Sequence, residues 1–199
     1  MTQAERLAAL RARLAEAGVD GFLVPRSDEY LGEYVPPSAE RMAWISGFTG
    51  SAGLVIVLAD CAVLFTDGRY TLQAQQQTDP ALWERRHITE DPPRDWLKAH
   101  AVGLRIGYDP WLLTASQARR LAEACAKAGA RLVPVDTNPI DAVWKDQPAR
   151  PDRPVEVQPT QFAGRSAADK LKDIGKAMTA ADAAVLSLPD SVAWVFNIR

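Results

Sequence analysis

The chain has 199 residues, 47% hydrophobic and 24% charged, enough to bury a core in one domain of ordinary size plus part of a second. A formal charge of −2 and a pI near 5.7 offer no basic field for nucleic acid or acidic lipid. The longest apolar run, "AGLVIVLA", is far below membrane-spanning length, and Cys61 and Cys125 form no C-x-x-C pair, which reads as free thiols in a reducing cytosol.

In chain order, "MTQAERLAALRARLAEAG" interleaves charges with leucines and has no continuous apolar core, so it reads as a helix and not a signal peptide. Thr2 and Glu5 have capping-box spacing. Leu7, Leu10 and Leu14 mark one helical face, and Gly18 suits the left-handed position after it. "DGFLVP" (20–25) reads as a buried strand, and "LVIVLADCAVLF" as a hairpin turning at Ala59–Asp60. A polar helix is expected in "TLQAQQQTD", a strand in "RRHIT" and a helix in "EDPPRDWLKAH", whose prolines suit a first turn. Strand "RIGYD", helix "TASQARRLAEACAKAG", strand "ARLVPV" and a short helix at "NPIDAVW" complete the unit. This alternation predicts an α/β domain, a largely buried sheet with helices on its faces.

"QPARPDRPVEVQP" breaks the composition, since Pro148, Pro151, Pro154 and Pro159 stiffen it toward an extended linker. We therefore expect a first domain over 1–147, a linker over 148–159 and the beginning of a second α/β domain over 160–199. In the last, "SAAD" (166–169) repeats the capping-box pattern, and Leu171, Ile174 and Met178 repeat the leucine spacing. "DAAVLSLPD" (182–190) takes the place of "DGFLVPRSD" as an expected strand, and the unit then breaks off.

The residues that carry chemistry are few. "SGFTGSAG" (46–53) has the glycine, serine and threonine content of a phosphate cradle. A Walker loop, however, ends in Lys-Ser/Thr and runs from strand into helix, and the dinucleotide fingerprint likewise leads into a helix. Here there is no lysine and the loop runs into a strand, so it reads as a close-approach turn. His87 and His100 lack partners at ligand spacing and read as structural. Two acidic groups, Asp28, Glu29 and Glu33, and Glu90, Asp91 and Asp95, are expected at helix entries. In "TDGRY", Asp67 and Gly68 signal a turn at a strand end, and Asp67 pairing with a nearby arginine would fix it. No complete catalytic constellation and no metal-ligand set is present in these residues.

"RMAWISGFTGSAG" (41–53), "FTDGRYTLQA" (65–74), "IGYDPWLL" (106–113), "LVPVDTNPIDAVWKDQPARP" (132–151) and "AWVFNIR" (193–199) together resemble the aminopeptidase P branch of the creatinase/prolidase metallopeptidases, in its long three-domain form. Asn138-Pro139-Ile140-Asp141 departs from the usual Asn-Leu-Val-Asp, and Gln147-Pro148 from Arg-Pro; neither touches chemistry. The resemblance implies a mixed sheet flanked by helices, the start of a related second domain, and a C-terminal "pita-bread" catalytic domain absent from the chain. Two divalent metals, manganese or zinc, would sit in that missing domain, so this chain would hold no cofactor and be inactive alone. The implied partners are the missing catalytic domain, short proline-containing peptides and a second subunit in a cytoplasmic homodimer. Arg41, Phe48, Thr49, Ser51, Asp67 and Arg69 are expected at the substrate cleft or a domain contact. An equivalent domain of a prolidase or creatinase relative, or a free-standing binding module, are the competing readings.

Overall fold

In the computed structural model, which describes residues 1–199, helix α1 (Gln3–Glu16) opens with a reciprocal cap. Thr2 Oγ1 accepts the Glu5 amide at 3.2 Å, and the Glu5 carboxylate accepts that of Thr2 at 2.8 Å. Leu7, Leu10 and Leu14 are buried, and Gly18 takes the left-handed φ of +68° that lets the chain turn into β1 (Gly21–Pro25). After an irregular stretch come α2 (Arg41–Ser46), the hairpin β2 (Leu54–Leu58) and β3 (Ala62–Thr66), then α3 (Thr71–Gln77) and β4 (Glu84–His87). The order continues with α4 (Pro93–His100), β5 (Arg105–Tyr108), α5 (Ala115–Lys127), β6 (Arg131–Pro134) and α6 (Pro139–Val143). Helix α2 is an addition to the sequence reading, and Asp28, Glu29 and Glu33 sit in the irregular stretch before it, not at an α-helix entry.

The six strands form one mixed sheet in the order β4-β3-β2-β1-β5-β6. Strand β2 is antiparallel to both its neighbours, and the β3–β4, β1–β5 and β5–β6 pairs are parallel. Every residue of β2 and β3 is buried because both sheet faces are covered, as the unbroken apolar runs of these strands require. One face, with Phe22, Val24, Val55, Val57 and Leu64, packs on α1, α2 and α6. The other, with Leu23, Ile56, Val63, Phe65 and Ile106, packs on Trp96 and Leu97 of α4 and Cys125 of α5. Each large side chain so buried contributes about 1.5–3 kcal/mol by removal from water.

Contacts divide the chain into two units, one of Met1–Glu29 with Tyr34–Arg150 and one of Tyr30–Glu33 with Pro151–Arg199. The second contains α7 (Thr160–Ala163), α8 (Ala167–Ala177) and α9 (Pro189–Phe196). Its "DAAVLSLPD" segment is not a strand: residues 182–188 are irregular and exposed, because no neighbouring strand offers the ladder partners that an isolated strand lacks. The leucine-like stripe of α8 also departs from expectation. Leu171 is 46% exposed, while the buried residue is Lys170, whose Nζ donates to the Trp194 carbonyl at 2.8 Å and Asn197 Oδ1 at 2.7 Å. The cap of α8 is half of that of α1. Ser166 Oγ accepts the Asp169 amide, but the shorter Asp169 carboxylate takes the Ser166 hydroxyl at 2.7 Å.

Candidate functional site

The register sets one sheet edge as the place where motifs gather. Pro25 at the end of β1 pairs with Leu54 at the start of β2, and Leu54 pairs with Phe65 near the end of β3. Thr66 pairs with His87, and Tyr108 with Pro134. The loops leaving β1, β3, β4, β5 and β6 and the loop entering β2 therefore share that edge, the side on which open α/β sheets place ligand contacts.

The "SGFTGSAG" loop begins at the C-terminal end of α2, where Gly47 closes the helix at φ +79°. Carbonyls, not amides, face out of such an end, so the phosphate-cradle reading fails on polarity as well as on context. Ser46 Oγ donates to the Met42 carbonyl at 2.7 Å and accepts the Phe48 amide at 3.1 Å, and Phe48 is fully buried. Thr49 and Ser51 turn outward. Gln77 of α3 grips Thr49 with both ends of its amide: Oε1 accepts the Thr49 N–H at 2.9 Å, and Nε2 donates to Thr49 Oγ1 at 3.0 Å. Gln73 Nε2 reaches the same hydroxyl at 3.0 Å. From α1, Gln3 Nε2 donates to the Gln77 carbonyl at 2.9 Å.

Beside this clamp, Ser51 Oγ and Tyr70 Oη share a hydrogen bond of 2.5 Å, which draws the Tyr70 phenol below its ordinary pKa. The Tyr70 ring meets Phe48 edge-on at 6.0 Å, and the Arg69 guanidinium lies 5.1 Å from its centroid. Asp67 accepts Arg69 Nε at 3.0 Å and Nη2 at 2.7 Å, and this hydrogen-bonded pairing lowers the Asp67 pKa. Thr66 Oγ1 ties the end of β3 to the loop through the Ala52 carbonyl at 2.7 Å.

Of the six residues expected at the site, Thr49, Ser51, Asp67 and Arg69 come together as one polar surface with Phe48 beneath them. Arg41 is placed elsewhere: it is buried and forks onto Asp141, Nε to Oδ1 at 2.7 Å and Nη2 to Oδ2 at 2.8 Å. Burial alone would depress its pKa, but the Asp141 carboxylate raises it, helped by the fields of Asp109 and Glu29. Gln147 completes this joint by donating to Asp141 Oδ1 at 2.9 Å and the Ser38 carbonyl at 2.8 Å. Asn138 caps α6 through the Ile140 amide and donates to Asp109 Oδ2 at 3.0 Å. Trp44 stacks on Trp144 at 5.5 Å. The motifs "RMAWIS", "GYDPW" and "NPIDAVW" thus meet as a packing joint. Sequence reasoning missed Tyr70, Gln73 and Gln77. Their signal was present in the four-residue spacing of Gln73 and Gln77, which puts both on one helix face.

No group of three or more His, Cys, Asp and Glu is arranged to hold a metal ion. His87 Nδ1 lies 2.9 Å from Thr89 Oγ1, and His100 stacks on Trp96 at 4.2 Å with Nδ1 bonded to its carbonyl. No helix is long and apolar enough to cross a membrane.

The Creatinase/Prolidase N-terminal domain family matches residues 6–143, and a second family of the same description matches residues 146–199. The chain belongs to the creatinase/prolidase N-terminal domain family. Probable Xaa-Pro aminopeptidases P from Ajellomyces dermatitidis and Coccidioides posadasii are each 42% identical to it over 98% of its length. The chain spans about a third of the length of these relatives, 33% and 31%. The solved X-prolyl aminopeptidase of Caenorhabditis elegans, described as a cytosolic enzyme with a di-nuclear active site, superposes on all of this chain. Its TM-score is 0.89 at 31% identity, and 35% of that enzyme is covered. The N-terminal domain of a cytoplasmic peptidase from Mycobacterium tuberculosis covers 70% of this chain and 98% of its own at a TM-score of 0.55 and 29% identity. The donor set of this family member does not fit a di-nuclear centre, because no three ligating side chains converge anywhere in it.

Proposed function

We propose that the chain is the non-catalytic N-terminal part of a cytoplasmic Xaa-Pro aminopeptidase, an enzyme that removes an N-terminal residue preceding proline. The observation that carries this is the breadth of the likeness. Forty-two per cent identity runs through 98% of the chain, yet only a third of the relative is covered and no metal-ligand set lies in the shared part. The chemistry, with its two divalent ions (manganese or zinc), belongs on this reading to a catalytic domain outside these residues, in a homodimer. The exposed surface of Thr49, Ser51, Asp67, Arg69 and Tyr70 shapes or covers that domain's cleft and limits entry to short proline-containing peptides.

The equivalent domain of a prolidase or creatinase relative is the second reading, supported by the first creatinase/prolidase family match, but that match ends at residue 143 while the aminopeptidase likeness runs through 98% of the chain. The test compares residues 1–199 with the longer protein, both metal-loaded, on Xaa-Pro peptides of two to eight residues. The expected result is turnover in the longer protein only, with Arg69→Ala changing the peptide-length limit. Turnover by the 199 residues alone, or a length limit untouched by Arg69→Ala, would count against the proposal.

A further inference from the structure

Beside the Ser51 and Tyr70 hydroxyls, Asp67 and Arg69 compensate each other's charge. Arg69, though 68% exposed, is held by Asp67 through a fork of hydrogen bonds, and the groups beside this pair are neutral: the hydroxyls of Thr49, Ser51 and Tyr70 and the amide of Gln73. Such a surface gives a charged ligand group little reason to leave water, because no opposite charge is left uncompensated to replace its hydration. It does offer hydrogen bonds to neutral donors and acceptors.

Within it, the Ser51–Tyr70 pair is built to be rigid. Two hydroxyls have two protons between them, and the 2.5 Å bond uses one. The other O–H remains available to donate, and a donor in a chain of hydrogen bonds is strengthened by the bond behind it. Tyr70 is fixed by Phe48 at its ring and by the guanidinium over it. Ser51 lies two residues from Thr49, which Gln77 grips at both its amide and its hydroxyl. Neither hydroxyl has to be ordered when a ligand arrives, which lowers the cost of binding.

We infer that the Ser51–Tyr70 hydroxyl pair is a recognition point for a neutral backbone carbonyl of a bound peptide, with Gln77 as the positioning residue that holds the loop beneath it. This rests on the proposed aminopeptidase function and names the contact through which the N-terminal unit senses peptide length.

The experiment uses the full-length enzyme and measures kcat and KM for an Xaa-Pro dipeptide and for Xaa-Pro peptides of four to six residues. Tyr70→Phe, which keeps the ring and removes only Oη, and Ser51→Ala should each raise KM for the longer peptides about 3- to 10-fold, the scale of one neutral hydrogen bond. The dipeptide KM and all kcat values should be unchanged, Ser51→Thr should restore most of the loss, and the effect should persist in 0.5 M salt. Gln77→Ala should give the same KM pattern. If Arg69→Ala alters the longer peptides and neither Tyr70→Phe nor Ser51→Ala does, the hydroxyl pair is structural and the inference fails while the cleft role stands. If the KM effects vanish in high salt, recognition is of a charged group and the inference also fails. If none of these variants alters any peptide, the cleft role falls with it.

Discussion

Gly50 lies against the face of Phe48: a Cβ built on Gly50 would come within 2.2 Å of Phe48 Cζ. The backbone therefore passes over a buried ring with no room for a side chain, and the glycine answers to packing and not to a phosphate. Gly50→Ala should destabilise the first unit by roughly 1–3 kcal/mol through overpacking, read as a lower urea midpoint at unchanged slope. Combined with Phe48→Leu, it should cost less than the sum of the two single changes, because the two residues share one space. Strict additivity would contradict the contact.

Arg41 and Asp141 join α2 to α6 through two parallel hydrogen bonds. Fully buried pairs lose about 3–5 kcal/mol when one partner is removed; here the Asp141 side chain keeps 32% exposure, and Arg41→Ala should cost roughly 2–4 kcal/mol. Arg41→Lys keeps the charge but cannot fork, and should recover only part of that. Thermal melts of the three proteins check this, and a melt of Arg41→Ala equal to that of the parent would rule out the joint.

Burial, with the Asp60 carboxylate beside it, pushes the Cys61 thiol up to about 11. At pH 8 about one molecule in a thousand then carries the thiolate at this position. Cys125 is buried and shifted the same way. Alkylation of the folded chain at pH 8 should be far slower than that of the urea-unfolded chain at both cysteines. Rapid labelling of native Cys61 would show an open, activated thiol instead.

Asp20 accepts the Arg105 amide at 2.8 Å and its guanidinium at 3.3 Å, and these bonds hold its carboxyl below the ordinary value. A depressed folded-state pKa gives stability that is complete above the unfolded value and is lost as pH falls through the folded one. Asp20→Asn should therefore be less stable than the parent at neutral pH. The difference should shrink as pH drops below the normal carboxylate range. Urea melts at pH 7, 4 and 2.5 check the sign; a difference that grows toward low pH would reverse it.

Much of the first unit was legible in the residues. The cap at Thr2, the apolar runs of β2 and β3 and the Ala59–Asp60 turn act over a few positions, and local rules suffice for them. Asp67 pairing with Arg69 was legible for the same reason. What escaped depended on distance along the chain. Arg41 meets Asp141 a hundred residues away, and Gln77 meets Thr49 across twenty-eight. In the second unit, "DAAVLSLPD" has the composition of a strand and no neighbour to pair with.

The sequence by itself determined most elements of the first unit, the absence of a phosphate loop and the family motifs, because periodicity, capping and turn chemistry are properties of neighbouring residues. Only the tertiary structure decided that Arg41 leaves the candidate site for a buried joint while Tyr70, Gln73 and Gln77 enter it. Strand order and direction determine which loops share one end of the sheet, and both are fixed only when the whole core packs.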